Sequence, residues 1–65
     1  MYQEIQIFST MDQDIFASQL RSQIHKLTII LENFENGQFN SRHSGTLVKE
    51  IEVDLKRIRK TWLDN

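Results

Sequence analysis

The chain has 65 residues, with no cysteine and no proline, and eight Lys/Arg against nine Asp/Glu give a net charge of −1. A core of that size supplies only about 3–5 kcal/mol alone, so such chains rely on disulfides, a metal or association. The missing cysteines exclude disulfides and thiolate zinc sites, and the two histidines, His25 and His43, are too few for an ordinary zinc site. Association is what remains, and the balanced charge excludes a global attraction to nucleic acid or to an anionic membrane.

Residues 1 to 9 read as an arm. Gln3-Glu4-Ile5-Gln6-Ile7 alternates like a strand, whereas Ile5 and Phe8 stand three apart as on a helix. An extended or irregular arm is the favoured reading, because Ser9 and Thr10 follow as a helix start. The opening MYQEIQIFSTMDQD lacks the basic start and the apolar run of a signal peptide. No unbroken apolar run exceeds three residues, as at Ile29–Leu31, against about 20 for a membrane span. A soluble cytoplasmic protein with no membrane contact is therefore expected, and the absence of cysteine agrees with a reducing compartment.

A first helix is predicted over residues 10 to 36. Thr10 with Gln13 fits a capping box, and Asp12 and Asp14 place negative charge where the helix dipole favours it. Phe16, Leu20, Ile24, Leu27, Leu31 and Phe34 recur at spacings of three and four, which keeps them on one stripe. Ile15 and Ile30 widen it. Asn36-Gly37 reads as the stop, since glycine tolerates the left-handed conformation that closes a helix.

Residues 37 to 44 read as the connection, polar apart from Phe39, with Ser41 or Ser44 as cap of a second helix over 45 to 63. Its stripe is Val48, Ile51, Leu55, Ile58 and Trp62. Antiparallel pairing brings Glu32 and Glu35 near Arg42, His43 and Lys49, and Asp12 and Asp14 near Lys56, Arg57, Arg59 and Lys60. Each exposed pair contributes only about 0–1 kcal/mol, so the agreement at both ends concerns direction more than stability.

The fold expected is an all-α antiparallel helical hairpin, one domain over residues 1 to 65. The two stripes hold more apolar surface than one partner helix covers. That predicts a homodimeric four-helix bundle, or a different protein seated on the same face. The interface residues expected are Phe16, Leu20, Ile24, Leu27, Leu31, Phe34, Val48, Ile51, Leu55, Ile58 and Trp62.

Lys56, Arg57, Arg59 and Lys60 form a candidate phosphate-binding face, to be weighed against a last-turn cluster that complements the helix dipole. Glu52 with Lys56 and Asp54 with Arg57 are ordinary helix pairs. Glu50 and Asp54 are expected on a solvated face. His25 and His43 lack a constellation for acid, base or ligand work. Tyr2, Phe8, Phe16 and Trp62 should gather at the end holding the termini, and Phe34 and Phe39 at the turn.

No nucleophile motif, glycine-rich phosphate loop or catalytic carboxylate pair is present in this pattern, and two short helices offer little concave volume. Neither catalytic residues, nor a metal, nor a cofactor is expected. The sequence points first to a non-enzymatic interaction or regulatory module that presents a helical face as a dimer. A dimeric nucleic-acid-binding regulator using the basic face is the second reading, and a structural subunit of a larger assembly the third.

Overall fold

A computed structural model describes residues 9–64. Except for Ser9, the arm lies outside the described residues, as do Tyr2 and Phe8. Among the described residues the chain is all helical. Helix α1 spans Thr10–Glu35, and α2 spans Ser41–Ile58 and runs on into a π-helical turn, Arg59–Leu63. The two helices pack side by side as a hairpin with extents of 44 × 22 × 18 Å.

The helix ends show how local chemistry sets the boundaries. Ser9, not Thr10, caps α1: its hydroxyl accepts from the Asp12 N–H at 3.1 Å. At the other end the Gln38 N–H donates to the Asn33 carbonyl at 2.8 Å and the Gly37 N–H to the Phe34 carbonyl at 3.2 Å. That crossed pair closes the helix and requires a left-handed residue, which is Gly37 at φ 74°. The stop predicted at Asn36-Gly37 thus has its physical basis in view.

The connection is shorter than residues 37 to 44. Asn40 Oδ1 accepts from the His43 N–H at 2.9 Å, so α2 begins at Ser41. Ser41, Arg42, His43 and Ser44 are helical, contrary to the expected loop, because the Asn40 cap comes before either serine. At its far end α2 widens, with the Asp64 N–H donating to the Arg59 carbonyl at 2.8 Å. Trp62, in this turn, meets Phe16 with ring centroids 5.7 Å apart and donates its indole N–H to Gln19 Oε1 at 2.8 Å. Phe34 and Phe39 meet edge to face at 5.8 Å by the turn, as expected of the aromatics there.

The seam between the helices follows a seven-residue repeat. Each helical residue turns by about 100°, so residues seven apart return to nearly one face. Phe16, Gln23 and Ile30 share such a line on α1, and Ser44, Ile51 and Ile58 on α2. Gln23, Ser44, Ile51 and Ile58 are the buried side chains among the described residues, and all fall on these lines. Among the described residues only Ile51 and Ile58, at 6% and 5% exposed, are buried apolar residues, so the core they form is small.

The two glycines should respond oppositely to a methyl group, since an added Cβ meets nothing within 4 Å at either. Gly37→Ala keeps the open space but strains the left-handed φ, and is expected to cost about 1–2 kcal/mol. Gly45→Ala lies inside α2 and should gain about 0.5–1 kcal/mol from helix propensity. Chemical denaturation at fixed protein concentration checks both signs.

Candidate partner-binding face

The helices meet along an edge of the apolar stripes, not along their centres. On each helix the seam line has two flanks. Because the helices are antiparallel, the same sequence step leads to the same side of the hairpin on both. Three residues on from Gln23 and Ile51 stand Lys26 and Asp54; four residues on stand Leu27 and Leu55. One broad face is therefore polar and the other apolar.

The apolar face carries Leu20, Ile24, Leu27, Leu31 and Phe34 from α1, with Val48 and Leu55 from α2. These side chains remain open to solvent; Ile24, Leu31 and Phe34 are 60%, 55% and 66% exposed. Of the interface residues expected from the sequence, these seven stand together on one surface. Phe16, Ile51, Ile58 and Trp62 instead lie in or over the intrachain seam.

The polar face is built around Asp54. Lys26 Nζ donates to Asp54 Oδ2 at 2.9 Å, and Gln23 Nε2 donates to the same oxygen at 3.1 Å. Lys26 also pairs with Glu50 at 3.5 Å, and Arg57 with Asp54 at 3.8 Å. Asp54 is thus not on a solvated face as expected: its side chain is 26% exposed, between the helices. A carboxylate three residues on from Ile51, matched by a lysine three residues on from Gln23, is the signal that apolar spacing alone does not carry. The Gln23 carbonyl oxygen, Oε1, is buried without a hydrogen-bond partner.

The Lys26 hydrogen bond, then that of Gln23, holds the Asp54 carboxyl below its ordinary 3.8, against the opposing pull of partial burial. The Asp54 hydrogen bond raises Lys26 above its ordinary 10.5, with burial again opposing. A depressed carboxyl stabilises the fold above its unfolded pKa, and this contribution is lost as pH falls through the folded value. A raised ammonium stabilises below 10.5 and loses its contribution as pH rises beyond the folded value. The window of full effect lies between the two, and salt screens it because both groups touch water.

The basic run is half engaged. Arg57 pairs with Asp54, and Arg59 makes two hydrogen bonds to the Asp64 carboxylate at 3.1 and 2.9 Å. Lys56 and Lys60 make no ion pair among the described residues, and Glu52 does not reach Lys56 within 4.0 Å. Nor does an ion pair join Glu32 or Glu35 to Arg42, His43 or Lys49, or Asp12 or Asp14 to the run. The cross-helix pairs stand at mid-length instead, at Lys26. His25 and His43 are exposed. An open depression on the polar face is lined by Lys26, Thr46, Lys49, Glu50, Val53 and Asp54.

Among the described residues no three His, Cys, Asp or Glu side chains stand close enough to hold a metal, and no helix is long and apolar enough to cross a membrane. Compared with models of protein families, with curated proteins and with solved structures, the chain finds no match.

Thermal melts at low salt test the Asp54 assignment. Asp54→Asn should lower the melting temperature at pH 7, and should then lose less than the parent between pH 7 and pH 3. An equal loss in both proteins would remove Asp54 from the acid response.

Proposed function

We propose that this chain is a small non-enzymatic interaction module that acts as a homodimer, hairpin on hairpin, in a four-helix bundle. The observation that carries the reading is the one-sided apolar face. Among the described residues seven large apolar side chains stand open on one surface of the hairpin, while its own core buries two. Covering a large aliphatic side chain contributes roughly 1.5–3 kcal/mol, and a face this apolar left in water is a sticky one. Closed two-fold assembly covers it without leaving a free edge. The bundle in turn displays polar and charged outer surfaces to other proteins. Nucleic-acid binding through Lys56, Arg57, Arg59 and Lys60 is the weaker reading, since two of the four cations already hold carboxylates. A permanent place in a larger assembly would use the same apolar face.

Light scattering tests the reading. The expected particle has twice the 7.8 kDa chain mass. Leu27→Asp, in the middle of the face and away from the seam, should weaken self-association at least about 30-fold, equivalent to roughly 2 kcal/mol. A monomer at every concentration, or a dimer indifferent to Leu27→Asp, would contradict the proposal.

A further inference from the structure

The charges on the two helices differ in sign. Helix α1 carries two basic side chains, Arg21 and Lys26, against four acidic ones, Asp12, Asp14, Glu32 and Glu35. The stretch Ser41–Leu63 carries six basic side chains against three acidic ones, Glu50, Glu52 and Asp54. The distribution is also end-loaded. Asp12 and Asp14 stand at one end of α1, and Glu32 and Glu35 at the other. Lys56, Arg57, Arg59 and Lys60 stand at one end of α2, and Arg42 at the other with Lys49 behind it.

A second copy can cover the apolar face about a two-fold axis in two ways. With the axis across the hairpin, α1 lies antiparallel on the second copy's α1. Acidic ends then meet acidic ends at both extremities, and basic ends meet basic ends where α2 crosses α2. With the axis along the helices, α1 lies on the second copy's α2. Acidic ends then meet basic ends at both extremities. Both arrangements bury the same apolar residues, so apolar contact does not choose between them. Charge does: opposite charges across an interface fix its register, and like charges facing each other disfavour the alternative.

We infer that the apolar face takes a second copy of this chain with the two-fold axis along the helices, α1 over α2, so that both interhelix turns lie at the same end of the bundle. This rests on the homodimer proposed above. In the resulting bundle each helix has antiparallel neighbours only. Both copies of the Lys56–Lys60 run share the end opposite the turns, each beside an acidic α1 start.

The chain has no cysteine, so one introduced thiol reports the orientation. Gln38 is exposed in the turn and uses only its backbone there. Gln38→Cys labelled with a nitroxide is measured by pulsed dipolar spectroscopy, with light scattering on the same sample. Helices about 10 Å apart with both turns at one end place the labels within about 30 Å. Turns at opposite ends of a 26-residue helix place them about 40 Å apart or more. A dimer with the short distance supports the inference. A dimer with the long distance overturns the orientation and leaves the homodimer standing. A labelled monomer, matched by a monomeric unlabelled parent, overturns both.

Discussion

The arrangement depends on a polar residue at the centre of the seam. Gln23 is buried on the line of Phe16 and Ile30, and its amide donates across to Asp54 on α2. A buried amide and a partly exposed carboxylate are best tolerated where they meet, because a buried polar group left unmet carries a desolvation penalty of about 1–3 kcal/mol. The pair therefore permits one rotation and one sliding register of the helices. Lys26 reinforces it from the same side, reaching Asp54 and Glu50 one turn apart. Single polar residues at seam positions fix register in coiled coils in the same way, at some loss of stability.

That rotation has a consequence on the other side of the hairpin. With Gln23, Ser44, Ile51 and Ile58 turned inward, the leucines of α1 cannot also face α2. They stand on the flank, beside Val48 and Leu55. The hairpin thus divides its surface into a face that carries the cross-helix ion pairs and a face of exposed large apolar side chains. A core holding two buried apolar side chains among the described residues is small even for a short chain, and association would enlarge it to that of a bundle with twice as many residues. Folding and association would then be linked, with stability dependent on protein concentration.

Much of the hairpin is legible in the order of the residues. The stop at Asn36-Gly37, the antiparallel pair and the grouping of Phe16 with Trp62 and of Phe34 with Phe39 follow from periodicity and punctuation. The two serines draw the expected start of α2 away from Asn40, whose side chain comes first and caps the helix. Carboxylates usually stand in solvent, so residue type alone does not point to the place of Asp54 beside Lys26. The seam was hidden for a more general reason. Apolar spacing marks every surface that water disfavours and does not tell intrachain contact from an open face. Only the seven-residue spacing of Ser44, Ile51 and Ile58, with Phe16, Gln23 and Ile30 opposite, distinguishes them. Reading it means giving a glutamine and a serine the weight of core residues.

The Gln23 side-chain amide offers the most direct test of this seam. Nuclear Overhauser contacts from its Nε2 protons, with their hydrogen-exchange rates, report where the group lies. Contacts to the Asp54 β-protons are expected, with exchange slower than for the exposed Gln13 and Gln38 amides. Gln23 protons exchanging as fast as those two, with no contact to α2, would contradict that placement and put a different edge of α1 in the hairpin.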